Sequence, residues 1–230
     1  NTSILKLTAL SAAIIASSAV LPSVAFAEGA MVEEIVTTGT RAKARSATDT
    51  VAAVDVITSA ELTNQGDMDV ANLLRNSVPS FSVNDQPISD AATLVRPFQL
   101  RGMAPDHSLI LVNNKRRHRA NVIVWSAGGI SDGSHGADVS TIPGMALKNV
   151  EVLRDGAAAM YGSDALAGVI NFKLKDASEG GSVQLRMGQY AEGDGDMAYF
   201  AGNMGMELGA NGFANVTLEY GSSDETVRSE

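Results

Sequence analysis

Cysteine is absent from all 230 residues, so no disulfide staples the fold and no thiolate can hold a metal. Basic residues are in the minority. Lys and Arg total 17 against 26 Asp and Glu, a formal charge of −9, which argues against nucleic-acid binding, since that wants a basic face. Aromatic residues make up only 5% while glycine reaches 22, a balance that leans away from a helical bundle and toward strands, turns and loops. Only one long apolar run is present, Leu7 to Val20, and it falls short of the ~20 residues that a membrane helix needs. If the mature chain enters a membrane, it must therefore do so as β-strands. Neither a phosphate-cradling G-x-x-x-x-G-K-S/T nor a dinucleotide-binding G-x-G-x-x-G occurs, and no cofactor is implied.

What is present begins with an export signal. Lys6 precedes the apolar run, Pro22 breaks it, and Ala25-Phe26-Ala27 follows with Glu28 as the first acidic residue. A basic start, a short apolar core and an A-x-A ending predict a secretory signal peptide over 1–27, cleaved after Ala27. The opening residue is Asn1 and not methionine, so at least the initiator is expected to be missing.

The remainder divides into three textures. Residues 28–50 are polar and small, with an apolar patch at Ile35-Val36 and a basic stretch from Arg41 to Arg45, and read as an extended segment or a plain linker. Residues 51–176 read as compact α/β. Val51 to Thr58 is a strand candidate, and Thr58 or Ser59 can cap a short helix carrying Glu61 and Leu62. Asp67 or Asp69 opens a second helix with Val70, Leu73 and Leu74 on one face, and Pro79 lies just past it. Phe98 to Arg101, Ser108 to Val112, Val150 to Leu153 and Gly168 to Leu174 are further strand candidates. Asn113-Asn114 tolerates positive φ and suits a tight hairpin turn. Asn121 to Thr141 is a long Gly/Ser/Asp-rich stretch of the sort that is usually functional or disordered.

From 177 to 230 the period becomes two. Val183, Leu185 and Met187 alternate with polar residues; Ala198, Phe200, Gly202, Met204, Met206 and Leu208 share one parity, with Tyr199, Asn203 and Glu207 on the other. Asn211-Gly212 then turns into Ala214, Val216, Leu218 and Tyr220. Three strands with one apolar face fit a transmembrane barrel wall and equally a soluble half-buried meander. The export signal tilts the reading toward the barrel.

Possible chemistry is thin. Gly129-Ile130-Ser131-Asp132-Gly133 matches G-x-S-x-G, but a hydrolase elbow needs a helix after it and Ser134-His135-Gly136-Ala137 is poor helix material. Asp132, His135 and Asp138 could bracket a metal, though such offsets recur by chance in a Gly/Ser loop; no metal site is assigned. Trp125, the only tryptophan, lies beside this loop as a packed anchor or part of a substrate-facing surface together with Asp132, His135 and Asp138.

The segment from Val150 to Asn171, reading VEVLRDGAAAMYGSDALAGVIN, resembles the end of the plug domain in TonB-dependent outer-membrane receptors. Leu100-Arg101-Gly102 and Leu109 to Asn113 resemble the central plug hairpin of that family, and Glu34-Ile35-Val36-Thr37-Thr38 resembles its TonB box. The ordered set spans Glu33 to Lys175. The resemblance implies an α+β plug domain over 51–176, a box and linker over 28–50, and the first strands of a transmembrane antiparallel barrel over 177–230. Such plugged barrels have about 22 strands when complete. It implies a plug motif at Arg101, Gly102, Glu151, Arg154, Asp155, Gly156, Tyr161 and Gly162, with Glu151, Arg154 and Arg101 as charge-pair candidates. The partner implied is the periplasmic TonB protein, which would add its sheet edge to the extended box. Outer-membrane lipid would surround the wall, and a small-molecule or metal-chelate substrate, ferric siderophore by default, would be carried. Within the wall, Tyr190 to Asp196 would be an external loop and Ala210 to Gly212 a periplasmic turn.

Three features depart from the family. Asn113-Asn114 stands where glycine is common, Thr37 stands where a second valine is common, and Lys115 to Arg119 is unusually basic, either facing an anion or forming a solvated hairpin end. The alternative to a receptor is a soluble periplasmic binding or secretion-associated α/β module with a β tail.

Overall fold

The computed structural model describes residues 35–36, 38, 45–46, 54–65, 67, 69–83, 95–123, 129–154, 157–210 and 212–226. The expected signal peptide and Glu34, Thr37, Trp125, Asp155 and Gly156 lie outside the described residues.

Two short strands, β1 (Ile35–Val36) and β2 (Arg45–Ser46), pair antiparallel. Strand β3 (Val54–Thr58) runs into helix α1 (Ser59–Asn64) through a reciprocal cap. The Thr58 hydroxyl accepts from the Glu61 amide while the Glu61 carboxylate accepts from the Thr58 amide at 2.7 Å. Helix α2 (Val70–Ser77) starts at Asp69, whose carboxylate accepts from the Ala71 amide at 2.8 Å and also pairs with Arg96. It stops at Val78 because the residue before Pro79 is pushed out of helical geometry. The expected i, i+3, i+4 face of Val70, Leu73 and Leu74 is buried.

Strands β4 (Phe81–Val83) and β5 (Phe98–Leu100) form a second antiparallel pair, with the Phe81 and Phe98 rings stacked at 4.9 Å. Strand β6 (Ser108–Val112) turns through Asn113-Asn114 into β7 (Lys115–Arg116). Both asparagines have positive φ, as a primed hairpin turn requires. Strand β8 (Leu147–Leu153), helical turn α3 (Ala158–Tyr161) and β9 (Gly168–Leu174) follow. The five-stranded sheet has the order β3-β8-β9-β6-β7, with β6 parallel to β9 and the other pairs antiparallel.

Two boundaries differ from expectation. Strand β8 begins at Leu147, because Leu147 is fully buried and a bulge before Asn149 carries the ladder across polar Lys148. Strand β5 ends at Leu100, because Arg101 and Gly102 both turn to positive φ.

The two sheet faces differ. Val150, Val152, Ile170 and Phe172 join α1, α2 and Leu100 in the main core, while Leu109, Leu111, Leu153 and Val169 pack on the other face under Ala157, Ala165 and Tyr161. Glu151 and Asn171 belong by parity to that second face.

Beyond the sheet, β10 (Gly181–Gly188), β11 (Met197–Leu208) and β12 (Gly212–Ser223) make an antiparallel meander. Its apolar parity points outward: Met187 is 89% exposed and Leu218 64%, whereas Tyr199 is 6% and Ala201 0% exposed on the opposite face. A soluble meander would bury that apolar face; a wall facing lipid leaves it out and turns Asn203 inward. Asn203 there donates to the side chains of Asn215 at 2.6 Å and Thr217 at 2.7 Å. Among the described residues no helix is long and apolar enough to cross a membrane.

Candidate functional site

Among the described residues of the N-terminal segment, Thr38 meets the sheet. Thr38 is fully buried, and its amide donates to Glu151 Oε2 at 2.9 Å while its hydroxyl donates to the same oxygen. Glu151 sits on β8 and Asn171 directly opposite on β9, both with 0% exposure. The Asn171 amide donates to the Thr38 hydroxyl at 3.0 Å, to Glu151 Oε2 at 3.2 Å and to Asn114 Oδ1 at 2.7 Å. Its carbonyl accepts from the Asn114 amide at 3.1 Å.

A buried carboxylate is tolerated only when hydrogen-bonded, and here Thr38 and Asn171, from two separate stretches of chain, both donate to it. Of the residues expected to form the box, Ile35 and Val36 are the strand β1, Thr38 is the docked end, and Glu34 and Thr37 are not described.

The charge-pair candidates separate. Arg154 pairs with Asp55, its Nη2 donating at 2.9 Å, and Arg101 donates to the Arg154 carbonyl at 2.8 Å. Glu151 joins neither; it serves Thr38 and Asn171. Tyr161 packs against the second core, and Gly162 ends α3 with φ +95°. Asp55 and Asn171 were not anticipated. A charged residue inside the apolar run Val150-Glu151-Val152-Leu153 is the signal that could have drawn attention to the sheet centre.

The residues expected on a substrate-facing loop do not converge. Asp132 is exposed, the His135 ring lies against the Ala120 carbonyl, and Asp138 caps the amide of Ser140 at 3.0 Å. Among the described residues no group of His, Asp and Glu is gathered to hold a metal. Ser131 is buried on a 3-10 turn and accepts from Gln99, and the residues after it form no helix of the kind a hydrolase elbow needs.

The basic stretch is largely engaged by its own neighbours. Arg116 pairs with Asp164, and Arg117 donates to the Asp138 carbonyl at 2.9 Å and the Thr141 hydroxyl at 2.6 Å; Lys115 and His118 are exposed.

Arg186 on β10 joins the wall to the end of α1, donating to the carbonyls of Thr63 and, at 3.0 Å, Asp67. A cleft of about 740 Å³ lies beside this contact, lined by Gln65, Asn76, Met187 and Tyr199 among others.

Residues 46–169 match the family described as TonB-dependent Receptor Plug Domain. The ferric enterobactin receptor of Pseudomonas aeruginosa is 27% identical over 179 residues, covering 78% of this chain and 23% of that protein. The vitamin B12 transporter BtuB of Vibrio vulnificus is 31% identical over 128 residues, covering 56% and 18%. The crystal structure of the siderophore receptor PirA from Acinetobacter baumannii superposes with a TM-score of 0.56 at 24% identity, over 77% of this chain and 25% of that one, a likeness of fold. The chain thus spans about a fifth of the length of these curated relatives. These relatives are receptors and transporters.

Proposed function

Because the chain belongs to the TonB-dependent receptor plug domain family, we propose that it supplies the plug and the first wall strands of an outer-membrane receptor for energised uptake of a scarce solute. The observation that carries this reading is the pairing of a family-matched plug sheet with a three-stranded wall whose apolar face points outward. In this reading residues 1–27 direct export, the plug blocks the barrel, and TonB takes hold of the box around Ile35 and Val36 by strand addition. Backbone pairing of that kind demands little side-chain identity, which suits so plain a segment. A pull on the box then displaces the plug and opens the passage. Ferric siderophore is the default substrate, supported by a relative named for ferric enterobactin, while another named for vitamin B12 keeps the class broad. The loop at 121–141 is the part of the plug assigned to substrate contact. The outward apolar face disfavours a soluble periplasmic module, which would have to leave it in water.

The test is capture of the purified full chain, in detergent, by an immobilised TonB C-terminal domain, against a chain lacking 34–38. Binding lost on deletion supports the reading and locates the coupling segment. Equal capture of both chains, or none of a folded chain, would remove TonB as the partner of this segment.

A further inference from the structure

A cleft of about 580 Å³ opens where the plug sheet ends and the wall begins. One side is the end of β9 and the residues just after it, against the start of β8; Phe213 and Asn215 of β12 line the other. Its charges are unevenly matched. The Asp176 carboxylate is taken by Lys148 at 2.9 and 3.1 Å, and the Glu151 carboxylate by Thr38 and Asn171. Among the described residues no carboxylate pairs with Lys173 or Lys175, both half-buried, and the Lys175 ammonium reaches only the soft sulfur of Met145, at 3.8 Å. Burial lowers the Lys175 pKa, a shift that an anion bound beside it would reverse.

An acceptor is stranded at the same place. Asn149 stands directly opposite Lys173 in the ladder, yet its Oδ1, shut off from solvent, has no hydrogen-bond partner among the described residues. An amide oxygen accepts and never donates, so whatever satisfies it must carry an O–H or N–H. Ammonium groups in want of an anion and a carbonyl in want of a donor describe one kind of ligand between them.

We propose that the cleft binds a small polyanion that also bears a hydroxyl, a hydroxycarboxylate by chemistry, with Lys173 and Lys175 holding its charge and Asn149 accepting from the hydroxyl. Phe213 offers an apolar flank for the carbon skeleton. The cleft lies beside the start of β12, at the opposite end of the wall from the loop at 189–196. Under the functional reading above, on which this last step rests, that end is periplasmic, and the cleft receives an acidic solute once it has passed the plug. The binding itself rests on the cleft alone.

The test is isothermal titration calorimetry of the full chain in detergent at low salt, with two probes. One is citrate; the other is tricarballylate, which is citrate without its hydroxyl. Lys173→Gln, Lys175→Gln and Asn149→Ala are compared with Arg119→Gln, which removes a cation from the exposed basic stretch instead. A thermal melt confirms that each chain is folded.

Loss of a hydrogen bond to a charged group predicts roughly tenfold weaker citrate binding for each lysine variant, with Arg119→Gln at the parent value. The parent should prefer citrate to tricarballylate by roughly fivefold, and Asn149→Ala should abolish that preference. No citrate binding by the folded parent, undiminished binding in the lysine variants, or equal weakening in Arg119→Gln overturns the site. Equal binding of both probes by the parent, or a preference that survives in Asn149→Ala, overturns the selection for a hydroxyl. Citrate binding that persists where TonB captures none of the folded chain refutes the functional reading instead, and leaves the site standing.

Discussion

Gly168 opens β9 at a point where the backbone has no room for a side chain. Its φ is +144°, and an added Cβ would sit 2.5 Å from the Leu153 carbonyl oxygen and 2.8 Å from a methyl of Leu100. Neither neighbour can step aside easily. Leu153 is paired in the ladder one residue along, at Val169, and Leu100 is fully buried in the main core. Gly168→Ala therefore combines overpacking, about 1–3 kcal/mol, with a backbone conformation that costs an L-residue about 1–2 kcal/mol. The expected loss is about 2–5 kcal/mol by that sum. Gly102 provides the contrast: its φ is +66°, but a Cβ there meets nothing within 4 Å. Gly102→Ala should carry the backbone cost alone, about 1 kcal/mol. Urea unfolding of the full chain, followed by circular dichroism, compares the two. If both variants lose the same stability, or Gly168→Ala loses less than about 0.5 kcal/mol, the close approach to Leu153 is not what demands glycine.

Two further outcomes are expected. Arg186→Leu removes both bonds from the wall to the carbonyls of Thr63 and Asp67, and should weaken that docking by about 1–2 kcal/mol, read as faster hydrogen exchange across α1. Arg186→Lys should rescue it only in part, since an ammonium cannot span two acceptors as a guanidinium fork does. Burial lowers the Lys175 pKa from the ordinary lysine value, so the folded chain releases this proton before the unfolded chain does. The resulting penalty is constant below the lowered value and fades as pH rises from there to the ordinary one. The urea midpoint of the parent should thus gain relative to Lys175→Met between neutral pH and about pH 10; parallel midpoints would refute the burial argument.

Much of this protein is written locally. Thr58 with Glu61 and Asp69 with Ala71 are caps between neighbours, which short-range chemistry narrowed to Thr58 or Ser59 and to Asp67 or Asp69, and Asn113-Asn114 is a turn by its own φ preferences. Alternation from Val183 to Tyr220 specified strands with one apolar face because the side-chain period of a strand is fixed at two. The ordered motifs between Glu34 and Asn171 carried the family, and residues 46–169 bear it out. Periodicity could not say which way the apolar face of the wall points, since a soluble meander has the same period. That was decided by the tertiary structure, which buries Tyr199 and Ala201 and leaves Leu185 and Leu218 exposed. Nor could it find the partner of Glu151. Thr38 and Asn171 are 133 residues apart in the chain, and only the register of β8 against β9, which sets Glu151 opposite Asn171, makes a pocket for a distant hydroxyl. Local propensity set the elements because it acts over a few residues; burial and long-range hydrogen bonding set the site because they exist only once the sheet has formed.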